Sequence, residues 1–214
     1  MVGGEELTPE AFSAHRQRMV EFQIRRRGVA DERVLEAMER VPRHLFVPPA
    51  ARESAYDDRP LPIGGGQTIS QPYVVARMAE LAEIGPHDSV LEVGAGSGYA
   101  AAVFAELADR VTTVEIRPEL AAMARENLDR AGYSRVEVVA GGPEAVDPER
   151  RFDAILVAAA AREIPPDLEE RLADGGRMVI PVGSRFSQHL WVVTRRGDDL
   201  ERHRHEAVAF VPLV

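Results

Sequence analysis

The chain has 214 residues, of which 45% are hydrophobic and 29% are charged, a balance typical of globular proteins and not of disordered or fibrous chains. Its 35 acidic and 26 basic side chains give a formal net charge of −9, which argues against broad nucleic-acid binding, since phosphate contacts require a clustered basic surface. The sequence contains no Cys, so disulfide bonds, thiolate metal sites and a Cys nucleophile are excluded, and a reducing compartment is expected.

We expect no targeting signal at the start of this sequence. The first ten residues, MVGGEELTPE, are polar and acidic, which is not the pattern of a signal peptide. No apolar run approaches the roughly 18 residues that cross a membrane as a helix. We therefore expect a cytoplasmic protein, with neither a membrane nor a nucleic acid as its partner. We also expect it to be a monomer.

The first 60 residues carry helix signals in two segments. Thr8 stands at an expected N-cap before Pro9, and Gly28 would end that first helix. Asp31 would cap a second helix, whose apolar residues fall on one face. The residues of that face are Val34, Leu35, Met38 and Val41.

Beyond these helices the pattern changes. Prolines and glycines from Pro60 to Gly66 predict an irregular loop, and a helix is expected from Pro72 to about Glu83. From residue 88 onward, β-rich runs alternate with helical segments, which predicts a parallel sheet with helices on both faces. The expected strands are Ser89–Val93, Arg110–Glu115, Val136–Val139, Ala154–Val157 and Met178–Ile180, and the expected helices are Tyr99–Ala108, Pro118–Ala131 and Asp167–Leu172. The last two β-rich runs, Leu190–Thr194 and Ala207–Val211, have no helix between them and should form an antiparallel pair at the end of the sheet.

A glycine-rich segment, Gly94-Ala95-Gly96-Ser97-Gly98, connects the first of these strands to the following helix. Glycines let the backbone turn tightly and approach a ligand, and the helix N-terminus offers free N–H groups. Glu115 ends the next strand, 21 residues after Gly94, where an acidic side chain would accept hydrogen bonds from ribose hydroxyls in a Rossmann-like site. The alternatives are a purely structural turn and an ordinary carboxylate at a strand end.

The spacing of the glycines distinguishes between nucleotide ligands. A dinucleotide-binding loop has the pattern G-x-G-x-x-G/A, and its third small residue would fall at Tyr99. The pattern G-x-G-x-G found here suits a ligand with adenosine but no pyrophosphate, and it resembles the S-adenosylmethionine loop of Rossmann-like methyltransferases. The chain is also too short for a dinucleotide domain with a separate substrate domain. Both observations disfavour an NAD-dependent oxidoreductase.

Several blocks outside the glycine loop carry a more specific signal. The most specific is Gly66-Gln67-Thr68-Ile69-Ser70-Gln71-Pro72-Tyr73; others are Val41-Pro42-Arg43-His44, Ile180-Pro181-Val182-Gly183 and Phe210-Val211-Pro212-Leu213. In these blocks the sequence resembles the protein-L-isoaspartate O-methyltransferases, and the resemblance extends over most of the chain. General methyltransferases share the glycine loop and Glu115 but not the block from Gly66 to Tyr73.

This resemblance implies a fold of the α/β class, a Rossmann-like S-adenosylmethionine-dependent methyltransferase sheet. The sheet would be mostly parallel, with an antiparallel C-terminal edge and an added helical N-terminal part. It also implies a single domain over residues 1–214, with the helical part and substrate loop in 1–85 and the cofactor-binding sheet and C-terminal strands in 86–214. The implied activity is methyl transfer from S-adenosylmethionine to the α-carboxylate of L-isoaspartyl residues in damaged proteins or peptides, which initiates repair through a succinimide.

The chemistry of this reaction requires no general base, because an α-carboxyl with a pKa of roughly 3.5 is already ionised at neutral pH. By the resemblance, Ser70 is the active-site hydroxyl. An alternative places Ser70 or Thr68 as a helix cap before Pro72. The residues expected at the substrate are Thr68, Ile69, Gln71 and Val211, and those expected at the cofactor are Gly94, Ala95, Gly96, Ser97, Glu115, Ile116 and Gly142. We expect no metal site, because the histidines do not show a ligand spacing.

The sequence departs from the family pattern after its third strand. Where the family usually has Gly-Asp-Gly, with the Asp on the adenine edge of the cofactor, this chain has Gly141-Gly142-Pro143. Ala158 also stands where the family often has Thr. Glu144 is a candidate to replace the missing carboxylate. These departures leave two alternatives open: a carboxyl methyltransferase dedicated to an aspartate of one biosynthetic peptide, and a cofactor-binding module without catalysis.

Overall fold

The computed structural model describes residues 8–213, and the first seven residues, in which we expect no signal peptide, lie outside them. Its helices are α1 (Pro9–Met19), α2 (Glu32–Arg40), α3 (Pro72–Ala82), α4 (Tyr99–Leu107), α5 (Pro118–Ala131) and α6 (Pro166–Glu170). Its strands are β1 (Leu61–Gly64), β2 (Gln67–Ile69), β3 (Ser89–Val93), β4 (Arg110–Glu115), β5 (Glu137–Ala140), β6 (Phe152–Val157), β7 (Leu172–Ser184), β8 (Ser187–Arg196) and β9 (Asp199–Val208). Shorter helical turns cover Val20–Ile24, Arg25–Arg27, Arg43–Phe46, Pro49–Ser54 and Pro143–Ala145.

The main sheet has seven strands in the order β5-β4-β3-β6-β7-β8-β9. The five strands from β5 to β7 are parallel, whereas β8 pairs antiparallel with both β7 and β9. After β3 the chain adds strands first on one side of β3 and later, with β6, on the other. Such a switch point leaves a crevice at the carboxyl ends of the strands, where ligands bind in open α/β sheets. The predicted fold class is confirmed.

The N-terminal helices form as their end signals predict. The Thr8 side chain accepts the N–H of Ala11 at 3.3 Å, and the helical path ends at Gly28, whose φ of +99° is left-handed. Asp31 accepts the N–H of Arg33 at 2.9 Å and so caps α2. The predicted apolar face of α2 is fully buried, and its members are Val34, Leu35, Met38 and Val41.

Apolar side chains cover both faces of the main sheet. Neighbouring residues of one strand point to opposite faces, so Val90 and Leu156 pack with the N-terminal helices, α3 and α4. Leu91 and Ile155 pack in a second cluster on the other face. Because the first cluster contains residues of α1 and α2 as well as sheet residues, the N-terminal part shares its core with the sheet.

Two parts of the sequence-based prediction are wrong. The segment Pro60–Gly66, predicted as an irregular loop, contributes strand β1, which pairs antiparallel with β2. Pro62, which has no N–H, is tolerated because β1 and β2 form a separate two-stranded sheet in which few N–H groups have to donate hydrogen bonds between strands. The last strand is β9, and not the predicted Ala207–Val211, because the chain leaves the sheet after Val208.

Within residues 8–213, no helix combines the length and apolar character required to cross a membrane. In the same residues, no group of three or more His, Asp or Glu side chains is arranged to hold a metal ion.

Candidate functional site

A cavity opens at the carboxyl ends of β3, β4 and β6, the place that the switch point predicts. The β1–β2 hairpin and the C-terminal segment border it. Of the residues predicted for the site, those that line this cavity are Thr68, Ile69, Ser70, Gly94, Ala95, Gly96, Ser97, Glu115, Ile116, Gly142 and Val211. Gln71 does not line it but lines a neighbouring cavity.

The glycine loop turns sharply at the end of β3. Gly94 and Gly96 have φ angles of +99° and +52°, in the left-handed region that favours glycine. The N–H groups of Gly94 and Ala95 both donate to the carbonyl of Val114 on β4, at 2.9 and 3.1 Å. The buried Asn127 of α5, which sequence reasoning missed, donates to the carbonyl of Ser97 at 2.9 Å. The loop is therefore held by hydrogen bonds to β4 on one side and to α5 on the other.

Glu115 lies at the end of β4 against this loop. Its Oε2 atom accepts the N–H of Gly96 at 2.9 Å, and its Oε1 atom accepts the N–H of Arg117 at 3.1 Å. The residue is only 7% exposed. An ionised carboxylate has about four acceptor positions, so two remain for donors in the cavity. Glu115 can thus hold the loop and a pair of ligand hydroxyls at the same time.

Glu92 is a site residue that sequence reasoning missed. It lies on β3, lines the cavity and is 1% exposed. The Thr113 hydroxyl donates to its Oε2 atom at 2.6 Å. Burial raises the pKa of Glu92 to about 8, and the nearby negative charge of Glu115 adds to the increase, so Glu92 is mostly protonated at neutral pH. The sequence feature that could have identified Glu92 is an acidic residue within the otherwise apolar run of β3.

A second cavity adjoins the first. The residues that line both are Thr68, Ser70, Ala158 and Val211, so these residues form the boundary between the two. Arg27 and Tyr73 also line the second cavity, where the Arg27 guanidinium lies 3.6 Å from the centre of the Tyr73 ring and pairs with Asp58 at 2.7 Å. Gln71 donates from its side chain to the carbonyl of Asp58 at 3.0 Å.

The alternative role of Ser70 or Thr68 as a helix cap is wrong. The N-cap residue of α3 is Gln71, and it makes no capping hydrogen bond from its side chain. Pro72 opens the helix, and a proline at the first helical position has no N–H that needs a partner. The side chain of Ser70 is therefore available to the cavities that it borders.

The departure at Gly142 has a structural counterpart. Glu144 folds back so that its Oε1 atom accepts the N–H of Gly142 at 3.1 Å. A Cβ atom added to Gly142 would lie 2.4 Å from Oε2 of Glu144. The Glu144 carboxylate thus occupies the space that a side chain at position 142 would need.

Comparisons with known proteins agree on one family. The family model described as protein-L-isoaspartate(D-aspartate) O-methyltransferase matches residues 14–214. A protein-L-isoaspartate O-methyltransferase of Methanoculleus marisnigri is 56% identical over 93% of this chain and 91% of its own length. The Koribacter versatilis protein of the same name is 50% identical over 100% of this chain and 96% of its own.

A solved structure extends this agreement to the fold. It is described as a protein-L-isoaspartate O-methyltransferase from Plasmodium falciparum in complex with S-adenosyl-L-homocysteine. Its TM-score with this chain is 0.82 and its sequence identity is 27%, over 93% of this chain and 98% of that one.

Proposed function

The chain belongs to the protein-L-isoaspartate(D-aspartate) O-methyltransferase family, and from that premise we propose which ligand each of its two adjoining cavities binds. The protein is an S-adenosylmethionine-dependent protein carboxyl O-methyltransferase. It methylates the α-carboxylate of L-isoaspartyl residues and so initiates their repair through a succinimide. We place the cofactor in the cavity at the glycine loop and the isoaspartyl residue in the adjoining cavity. The boundary formed by Ser70 and its neighbours is the observation that carries this assignment.

The residues around the first cavity fit the cofactor. The glycine loop has the close backbone approach that a bound methionine and ribose require, and Glu115 keeps two acceptor positions for ribose hydroxyls. Ile116, at 52% exposure, offers an unusually exposed apolar side chain at the cavity, which supports contact with the adenine. The cofactor residues in this proposal are Gly94, Ala95, Gly96, Ser97, Glu115, Ile116 and Gly142.

When bound, S-adenosylmethionine supplies a methyl group on a positively charged sulfur, which is open to attack by the substrate carboxylate. Because that carboxylate is already ionised at neutral pH, the protein needs to orient it and not to deprotonate it. Ser70 stands where the two cavities meet, and its hydroxyl can donate a hydrogen bond that fixes the angle of the carboxylate. Thr68, Ile69, Gln71 and Val211 complete the substrate contacts in this proposal.

We also propose that residues 1–214 form a single domain that acts as a cytoplasmic monomer, without a nucleic-acid or membrane partner. The apolar cluster shared by the N-terminal helices and the sheet supports the single domain. The net charge of −9 supports a protein substrate over a nucleic acid.

The variant Ser70→Ala tests the assignment of the boundary. Loss of one hydrogen bond to a charged acceptor, worth about 1.5–3 kcal/mol, should lower kcat/KM for an isoaspartyl peptide by roughly 10- to 150-fold. The Kd for S-adenosylhomocysteine should stay unchanged. Ser134→Ala, at an exposed serine that lines neither cavity, is the control. Normal turnover in Ser70→Ala would remove Ser70 from the site.

A further inference from the structure

Arg43 is an arginine that the proposed site does not use, although it belongs to one of the blocks that carry the family resemblance. It is 0% exposed. Its Nε atom donates to the carbonyl of Ala55 at 2.7 Å, and its Nη2 atom donates to the carbonyl of Ser70 at 2.8 Å. Its guanidinium carbon lies 4.7 Å from the centre of the Tyr99 ring. Arg43 therefore joins three segments that are distant in the sequence.

Burying the charge of Arg43 costs free energy, and a purely structural role does not explain that cost. The groups that favour its charged form are Tyr99 and Tyr56, and no carboxylate is among them. Tyr99 also acts on Arg43 through a side-chain hydrogen bond, although within residues 8–213 the Nη1 atom has no partner in standard hydrogen-bond geometry. Burial lowers the pKa of Arg43 to about 10, so it still carries its charge at neutral pH. Taking a charge out of water carries a large desolvation penalty, so filling the core is a poor reason for an arginine here.

The partners of Arg43 lie at the site itself. Ser70 stands between the end of β2 and the start of α3, outside both elements, so neither a strand ladder nor a helix fixes its peptide group. Tyr99 opens α4 immediately after the glycine loop and lines the first cavity. The bond from Nη2 to the Ser70 carbonyl thus supports the one residue on the cavity boundary whose hydroxyl the proposed function requires.

We propose that Arg43 is a positioning residue, which holds the peptide group of Ser70 so that the Ser70 hydroxyl points at the substrate carboxylate. This inference rests on the proposed role of Ser70. The cation itself stays out of the reaction: it acts by limiting where the hydroxyl can be, and it should therefore affect turnover more than cofactor binding.

The test compares Arg43→Met, which keeps an unbranched apolar stem and removes the guanidinium with its charge, with the double variant Arg43→Met/Ser70→Ala. We expect Arg43→Met to lower kcat for an isoaspartyl peptide by about tenfold or more, since small misplacements at a reacting centre can cost 10²-fold. The Kd for S-adenosylhomocysteine should change by less than about threefold. Because Arg43 acts through Ser70, the double variant should be no slower than Ser70→Ala alone, within about twofold.

Arg171→Met is the matched control. Arg171 is also buried, at 8% exposure, and donates to the carbonyls of Asp147 and Val146, both at 3.2 Å, but it lines neither cavity. Its loss should lower the melting temperature and leave kcat of the folded protein unchanged. If Arg43→Met does not fold, Arg43→Lys and its double variant with Ser70→Ala take its place, with a smaller expected loss of kcat.

Three results would overturn the inference: wild-type kcat in the folded Arg43 variant, losses that add in the double variant, or an equal loss of kcat in Arg171→Met. Failure of the underlying proposal has a different signature. If Ser70→Ala itself turns over normally, the role of Ser70 is wrong and the inference about Arg43 falls with it. If Ser70→Ala is slow and the Arg43 variant is not, only the inference about Arg43 is wrong.

Discussion

Glu92 lies against the first cavity as a protonated acid, and this state has a consequence for stability. Its pKa in the folded protein is about 8, compared with an ordinary value of 4.5. Between these values the unfolded chain loses its proton while the folded protein keeps it, so rising pH favours the unfolded state. The stability that the neutral acid contributes is fully present below pH 4.5 and is lost as the pH rises through 8.

The variant Glu92→Gln should remove this pH dependence, because the amide is neutral throughout and its oxygen can still accept the Thr113 hydroxyl. We expect the melting temperature of the wild type to fall more than that of Glu92→Gln between pH 5 and pH 8. For each kcal/mol of stability lost when Glu92 ionises, the melting temperature of the wild type should fall by roughly 2–4 °C more than that of Glu92→Gln. Other titrating groups are common to both proteins and cancel in the comparison. If the melting temperatures of the two proteins instead change equally over this pH range, Glu92 is already ionised in the folded protein.

Glu144 is our candidate for offsetting the glycine at position 142: it is exposed and lies beside the first cavity, next to Pro143, which lines it. Since its carboxylate occupies the space of a residue-142 side chain, Glu144→Ala should weaken S-adenosylhomocysteine binding by about 1.5–3 kcal/mol, or roughly 10- to 150-fold. Gly142→Asp should restore affinity most fully in the Glu144→Ala background, because alone its Cβ would lie 2.4 Å from the Glu144 carboxylate and would first have to displace that flexible side chain. Glu149→Ala, at an exposed glutamate, is the control for calorimetry. Unchanged affinity in Glu144→Ala would assign the adenine edge to backbone groups.

These residues show what the sequence could and could not predict within the candidate site. The glycine loop and Glu115 are local signals, because a strand end, a turn and a fixed spacing place them together. Glu92 and Arg43 take their properties from burial by distant segments, which a motif does not report. The folding back of Glu144 depends on a turn geometry that only the structure shows.

At the scale of elements, the segments that border the site were the hardest to predict. The β1–β2 hairpin was missed because prolines and glycines ordinarily mark loops, whereas here Gly64, Gly65 and Gly66 make its turn with positive φ angles. The extent of β9 was missed because its residues are largely polar and lie on an exposed sheet edge, so they lack an apolar alternation. Buried parallel strands such as β3 and β6 were predicted because they are apolar along their length.

The C-terminal segment after β9 borders both cavities and is held by a side chain of β8 and by backbone hydrogen bonds to Ala160. Gln188 of β8 donates to the carbonyl of Phe210 at 3.1 Å and accepts its N–H at 2.7 Å. The next residue, Val211, lies on the boundary between the cavities. Gln188 therefore helps to fix an element of the proposed substrate site without lining either cavity.

Gln188→Ala should loosen this segment and raise KM for an isoaspartyl peptide. Two lost hydrogen bonds at about 0.5–1.5 kcal/mol each correspond to roughly 5- to 150-fold in KM where KM reports binding. Steady-state kinetics on the purified variant measures the change. Gln17→Ala, at an exposed glutamine of α1, should leave KM unaltered. An unaltered KM in Gln188→Ala would mean that the segment keeps its place without this pair of bonds.

On the scale of the whole molecule, the fold brings the two halves of the site together at one edge of the sheet. The parallel strands direct the glycine loop and Glu115 to their carboxyl ends. The N-terminal part, packed on the same core, supplies the hairpin, Ser70 and Arg43. The alternation of strands and helices made this architecture predictable, and the TM-score of 0.82 with a related methyltransferase agrees with it.

The most direct test of isoaspartyl methylation is a methyl-transfer assay with labelled S-adenosylmethionine and two peptides of identical composition, one with an L-isoaspartyl residue and one with a normal aspartyl residue at the same position. We expect label in the isoaspartyl peptide alone, as an ester that releases labelled methanol when the succinimide closes. Equal labelling of both peptides, or no labelling of the isoaspartyl peptide by protein that binds S-adenosylhomocysteine, would contradict this expectation.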